Sequence, residues 1–205
     1  QNLGHKSAFR KFEWEPSSID WINDHVNLFK NNQKKIINNS INEYNNFVKN
    51  NKKNLRFSLT HGDANNYNLV VNKNKIVGLL DYGDMIFAPT INDLSVALAY
   101  ALMKKENLYL SLKNIVLSYH NIFPISFDEF YSLMTLVKCR LTITVVMAVK
   151  QRKKFSNNKY LSISEKDAWK LLDKLDKINP YIFIFFLRDL CGYEIIQHYS
   201  KIITF

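Results

Sequence analysis

The chain has 205 residues, 47% of them hydrophobic, 14% aromatic and 22% charged, with a formal net charge of +10. That length suits one domain, or one and a part, and the composition supplies a real core and excludes a disordered chain. The positive excess raises nucleic acid or an anionic membrane as partners. The lysines, however, are scattered with Asn and Ile along the whole chain, as in NNQKKIINNSINEYNNFVKN, and no run of basic and aromatic residues forms an RNA-binding signature. Neither partner is therefore expected, although a basic surface still attracts a polyphosphate such as ATP.

In chain order, the first residue is Gln1 rather than Met, so the chain is expected to start inside something larger or to have been processed. Residues 17 to about 50 read as one long polar helix capped by Ser17 or Ser18. Ile19, Ile22, Val26, Phe29, Ile36, Ile37, Ile41, Tyr44 and Val48 give it an apolar stripe at helical spacing. KNNKKN reads as a loop, and LRFSLT as a strand running into His61. NLVVN and KIVGLLD read as two strands joined by the polar turn NKNK, and DYGDMIFAPT as a loop ending at Pro89.

From Ile91 onward the pattern is helical throughout. INDLSVALAYALM is a buried helix and Leu108 to Asn121 another; a capping box of Ser126 and Glu129 opens a long helix to about Gln151. RKKFSNNKYL is a linker, Ser164 caps the next helix, and Pro180 takes the first position of a final apolar one. No repeat and no second domain is evident. Tyr181 to Leu187, taken as the most apolar stretch, is too short to span a bilayer and reads as core. Cys139 and Cys191 lack metal-type spacing and sit in apolar surroundings, as buried thiols of a reduced, cytoplasmic protein do.

The polar groups gather at strand ends within residues 61 to 84, where loops on a rigid scaffold carry chemistry. Asp63 sits in a tight turn that Gly62 lets fold sharply. Asn68 follows five residues later at the start of the next strand, and Asp81 closes the hairpin, which returns it beside Asn68. An amide oxygen and a carboxylate are hard ligands that suit Mg²⁺, an ion that takes few protein ligands and leaves the rest to water and phosphate oxygens. Asp63, on the same edge, is then free to accept the proton of an attacking hydroxyl. Asp, four residues, Asn, hairpin, Asp is also the order of the protein-kinase catalytic loop and its metal-binding Asp. A lone HGD is usually a structural turn; this spacing together with the hairpin and LLDYGD points to phosphoryl transfer from a magnesium nucleotide to a hydroxyl.

HGDANNYN followed by VGLLDYGD resembles the signature of the aminoglycoside phosphotransferase and choline kinase superfamily: HGD, four residues, N, then D-x-x-D after a short hairpin. The stretch THGDANNYNLVV, the stretch VGLLDYGDMIFAPTINDLSVALAYAL and the tail NKYLSISEKDAWKLLDKLDKINPYIFIFFLRDLCGY resemble most closely the branch of hydroxylysine kinases and of kinase-like domains fused to class III aminotransferases. The resemblance runs from about Gly4 to Tyr193. It implies an α+β, mostly helical fold: a protein-kinase-like C-terminal lobe, with a small β-hairpin carrying the catalytic loop, over residues 1–205.

The same resemblance implies Asp63 as catalytic base or hydroxyl-orienting carboxylate, and Asn68 and Asp81 as holders of Mg²⁺ and of its nucleotide, ATP or GTP. It implies His61 as the brace of the catalytic loop and Asp84 as a supporting or substrate-facing acid. Asp93 becomes a buried acceptor for the loop backbone, with a helix cap as the alternative. Tyr82 replaces the Phe or Cys more usual in that turn. The acceptor implied is an amino alcohol or a hydroxylated amino acid such as hydroxylysine. Asp128, Glu129 and Glu194 are candidates for holding an amine by residue type only. Trp14, Trp21 and Trp169 are able to stack on a cation but read as packing.

The departure from the family is upstream. A kinase needs a first lobe with a strand-borne Lys, a paired Glu and a loop over the nucleotide. Nothing before His61 supplies these, and LGHKSAF resembles the stretch just after the hinge. A missing N-terminal lobe is therefore expected, with weak MgATP binding and little activity in this chain alone, and a fused aminotransferase domain is compatible with the branch. The alternatives are a non-catalytic kinase-like module or, remotely, a basic nucleic-acid-binding protein.

Overall fold

A computed structural model describes residues 6–154 and 164–193. It is α+β and mostly helical, as a kinase-like lobe should be. Among the described residues, four short strands form two separate antiparallel ribbons, and six α-helices follow or flank them.

The centre is α4 (Phe127–Lys154), whose residues from Phe130 to Ala148 are almost all buried. A helix that is apolar all round belongs in a core. By length and composition α4 could cross a membrane, but 94% of that apolar stretch is buried inside the fold. Among the described residues it is the one helix long and apolar enough for that; Tyr181 to Leu187, read from the sequence as the most apolar stretch, is much shorter. That stretch lies in α6 (Pro180–Leu190) and is two-faced: Phe183, Ile184 and Leu187 are buried, whereas Ile182 is exposed. Around α4 pack α1 (Asn31–Glu43), α2 (Ile91–Leu102), α5 (Glu165–Asp176) and α6, and α3 (Leu108–Ile122) lies against α2 and α6. Ile37, Leu98, Leu112, Leu136, Leu172 and Leu187 belong to one continuous core.

Residues 17 to 50 are not one helix. A 3₁₀ segment (Asp20–Leu28) is followed by a break at Phe29 and Lys30, both extended, then α1, then a π-helical turn (Tyr44–Lys49). Asn-rich sequence offers the backbone alternatives to the helical ladder, and the break lets Ile19, Ile22 and Phe29 reach the same core as Ile37 and Ile41. Ser17 does not cap: its hydroxyl donates to Glu15 and accepts from Asn92 Nδ2 at 3.2 Å. The capping box of α4 is present, with Ser126 N donating to Glu129 Oε2 at 2.8 Å and Glu129 N to Ser126 Oγ at 3.4 Å. Asn179 accepts from Tyr181 N ahead of Pro180, whereas Ser164 makes no side-chain cap bond to α5.

The strands place the site. β2 (Leu69–Asn72) and β3 (Lys75–Leu79) form the expected hairpin, turned by Lys73 and Asn74 with φ of 45° and 63°. Two consecutive left-handed residues fit the tight twist of a two-residue hairpin. DYGDMIFAPT is not wholly a loop: Ile86–Pro89 is a strand, β4, antiparallel to β1 (Phe57–Thr60), with Thr60 opposite Ile86 and Phe57 opposite Pro89. Its alternation is plain in the structure, Ile86 and Ala88 buried and Phe87 exposed, but the nearest partner, Thr60 opposite Ile86, lies 26 residues upstream in sequence. Cys139 is buried as expected; Cys191 is only half-buried. Burial pushes both thiols up, that of Cys191 to about 11.

Candidate active site

The turn between β1 and β2 is folded by its own polar groups. Gly62 has φ of +79°, and a Cβ there would lie 2.6 Å from the Asp84 carbonyl oxygen, so only glycine fits without displacement. Asp93, in the first turn of α2, accepts from the His61 N–H at 2.9 Å and the Gly62 N–H at 3.0 Å. It ties the loop and does not cap its own helix. Burial raises the Asp93 carboxyl above the usual range, and those two N–H groups pull it back.

His61 is buried and joins the loop to the hairpin. Its Nε2 lies 2.9 Å from the Leu80 carbonyl oxygen and its Nδ1 accepts from Asp63 N at 3.3 Å. Those partners assign the proton to Nε2. The ring also meets the edge of Tyr82 at 5.1 Å.

Asp63 is held from three directions. Its Oδ2 accepts from Asn65 Nδ2 at 2.7 Å and from Asn68 Nδ2 at 3.0 Å. Its Oδ1 accepts from the Arg140 guanidinium at 2.5 Å. Arg140 comes from the middle of α4 and its side chain is only 3% exposed. It also donates to the Trp14 carbonyl oxygen at 3.0 Å and lies between the Trp14 and Tyr100 rings, 4.8 and 5.6 Å from their centroids. Sequence reasoning passed over Arg140. The available signal was a pair of cations, Lys138 and Arg140, inside the otherwise uncharged stretch of α4 from Phe130 to Val149, because a buried cation requires a partner. Lys138 pairs with Glu43 and Asp176.

Asn68 and Asp81 are brought side by side by the hairpin register: Leu80 N donates to Asn68 O at 2.8 Å, one residue before Asp81. Asn68 spends its amide N–H groups on Asp63, so its Oδ1 stays available, and the Asp81 carboxylate has no hydrogen-bond partner among the described residues. Asp81 itself adopts φ of 63°, a left-handed conformation at the end of the hairpin. Such strain in a non-glycine residue costs about 1–3 kcal/mol and gathers where function requires it. Asp84 stands nearby; burial raises its carboxyl, the Asp63 and Asp81 charges raise it further, and Arg10 and Arg140 oppose them. Arg10 also donates to the Gly83 carbonyl oxygen at 2.9 Å, tying the start of the described chain to this turn.

Asp63, Asn68 and Asp81 open onto one cavity of about 280 Å³, walled by Trp14, Tyr67, Tyr100, Thr144 and Glu165. Of the other sequence candidates, Glu129 is buried elsewhere, paired with Arg56, and Asp128 does not line this cavity. Glu194 lies outside the described residues. Trp14 does reach the cavity, while Trp21 and Trp169 pack against the core. Among the described residues no group of three or more His, Cys, Asp and Glu side chains gathers as a metal cluster. A free amide oxygen and a free carboxylate beside a guarded carboxylate remain, which fits an ion whose other ligands are water and phosphate.

The model of the phosphotransferase enzyme family matches residues 19–110, which include His61, Asp63, Asn68, Asp81, Asp84 and Asp93. Over that span the chain is similar to this family. Its likeness is to the hydroxylysine kinase branch: it is 28% identical to the hydroxylysine kinase of Xenopus laevis over 190 residues, 83% of this chain and 50% of that one. It is 29% identical to that of Danio rerio over 174 residues, 80% of this chain and 48% of the other. The Mus musculus protein is 28% identical over 130 residues. The chain thus spans about half the length of the curated relatives it matches. No solved structure matches it.

Proposed function

We propose that this chain is the catalytic, C-terminal lobe of a small-molecule kinase, which transfers the γ-phosphate of ATP or GTP to the hydroxyl of an amino alcohol or a hydroxylated amino acid such as hydroxylysine. The observation that carries the reading is the carboxylate of Asp63, fixed by three donors and facing the same cavity as the unpartnered oxygens of Asn68 and Asp81. The half-length match to the relatives supports a further, nucleotide-binding lobe in the full-length protein. The unpaired cysteines suit a cytoplasmic setting.

Asn68 and Asp81 would hold Mg²⁺, which when bound neutralises charge on the phosphate oxygens. Asp63 orients the acceptor hydroxyl and accepts its proton late in the transfer through the lone pair of Oδ1 that Arg140 leaves open. Arg140, Asn65 and Asn68 fix the rotamer of Asp63, so little reorganisation is needed when the hydroxyl arrives. His61 and Asp93 act through the loop: one pins it to the hairpin and the other to α2. Catalysis of this kind is mostly positioning and electrostatics.

The test is nucleoside diphosphate release by the full-length protein with 5-hydroxylysine and a panel of amino alcohols, with ATP or GTP. Turnover is expected with at least one acceptor, and Asp81→Ala should lower it by several orders of magnitude. An Asp81→Ala variant with near-normal rates, or no turnover across the panel, overturns the reading.

A further inference from the structure

Residues 10–17 form no helix or strand, yet they are fastened along their whole length. Ordering such a stretch costs conformational entropy that no backbone ladder offsets, so its side chains and carbonyls have to. At its start Arg10 donates to the Gly83 carbonyl oxygen at 2.9 Å, inside the turn that follows Asp81. Phe12 comes next, its ring 5.4 Å from the Arg10 guanidinium and its Cε1 3.7 Å from the place a Cβ on Gly62 would take. Glu13 pairs with Lys150 of α4 at 2.6 Å, and the Trp14 carbonyl accepts from Arg140 at 3.0 Å. At the far end Glu15 pairs with Lys52, and buried Ser17 accepts from Asn92, the neighbour of Asp93 at the start of α2. The stretch thus touches the Asp81 turn, the loop glycine, the arginine that grips Asp63, and the helix end that holds the loop backbone.

We infer that residues 10–17 are a strap that aligns the two halves of the site, Asp63 on one side and Asn68 with Asp81 on the other, and that Arg10 and Glu13 are positioning residues for phosphoryl transfer. The inference rests on the kinase reading above and names how that site is kept aligned. Asp63 takes its direction from Arg140, which is rooted in α4, whereas Asp81 takes its own from the hairpin end and the turn after it. The two halves thus hang on different elements. Transfer needs the acceptor oxygen and the phosphate in line, and a misplacement of about 1 Å costs on the order of 100-fold in rate. The strap joins both elements over a short distance: Arg10 fixes the turn, and Glu13 and Trp14 are anchored on α4. Four residue steps reach at most about 14 Å, so a shift of either anchor is felt at the other. Neither Arg10 nor Glu13 lines the Asp63 cavity, so each acts through the strap and not on substrate.

The experiment uses the full-length protein with Arg10→Met, Glu13→Ala and the two together. Both side chains are exposed, so the fold should survive their loss. Transfer to the best acceptor of the panel above is followed by steady-state kinetics, and amide hydrogen exchange by mass spectrometry. The double variant is expected to lose about tenfold in kcat, with the acceptor KM within about twofold of normal. Exchange should quicken in residues 61–68 and 80–85 and stay unchanged in α4, with Tm unaltered. Arg10→Lys, which keeps a donor for the Gly83 carbonyl, should recover most of the kcat lost in Arg10→Met. Normal kcat and normal loop exchange in the double variant overturn the inference, as does a change in one without the other. A general rise in exchange with a lowered Tm makes the residues merely structural and also overturns it. In each of these cases the kinase reading stands. If the unaltered protein phosphorylates no acceptor, the kinase reading fails and exchange alone decides: quicker exchange confined to the loop and turn upholds the strap, and unchanged or general exchange overturns it.

Discussion

Replacing Asp63 by Ala should destabilise the protein as well as inactivate it, because Arg140 is more deeply buried than its partner. The guanidinium side chain is 3% exposed and the carboxylate 20%. Removing one member of a buried ion pair costs roughly 3–5 kcal/mol, since the other charge is stranded. Arg140 would keep the Trp14 carbonyl and two aromatic faces, which places Asp63→Ala near the low end of that range. Arg140→Met leaves a carboxylate that still has solvent and the Asn65 and Asn68 amides, so its cost should be the smaller of the two. The double variant carries no stranded charge, and its loss should fall short of the sum of the single losses by about 2 kcal/mol, as contacting pairs show in such cycles. Urea denaturation followed by tryptophan fluorescence measures all four states. A fully stable Asp63→Ala, or additive losses, would refute the claim that the pair is coupled. Asp63→Asn, which keeps an acceptor oxygen for Arg140, is accordingly the better variant for activity tests.

Other expectations follow from the same turn. Asp84 has a carboxyl held above its ordinary value by burial and by Asp63 and Asp81, so the folded state keeps its proton longer than the unfolded chain does. Stability therefore falls as pH rises from about 4 through that raised value; Asp84→Asn should flatten this part of the profile and raise Tm at pH 7, and a lowered Tm would count against it. Gly62→Ala places a Cβ 2.6 Å from the Asp84 carbonyl at a φ of +79°, so a loss of about 1–3 kcal/mol is expected by thermal denaturation. A neutral Gly62→Ala would mean that the turn is more plastic than it looks.

Much of the site was legible because its chemistry is local. His61, Asp63, Asn68 and Asp81 fall within 21 consecutive residues, and one hairpin is enough to bring the last two together. The helices of the second half were legible for the same reason: caps such as Ser126 with Glu129, and Pro180 after Asn179, act within one turn of chain. Periodicity misled where it could not see the partner. The stripe from Ile19 to Val48 fits one helix, yet the shared core with α4 and the Asn-rich backbone favour three segments. Ile86–Pro89 has too short a pattern to reveal a strand until β1 is beside it.

The sequence by itself determined the chemistry on offer: a carboxylate, an amide and a second carboxylate at a spacing that a hairpin closes. Only the tertiary structure decided what guards and surrounds them. Arg140 reaches Asp63 across 77 residues, Arg10 reaches Gly83 across 73, and Asp167 meets Lys104 from a different helix. Hairpins and caps form from neighbours in sequence, whereas a buried ion pair or a cleft exists only once the core has packed and brought distant helices to a common distance from water.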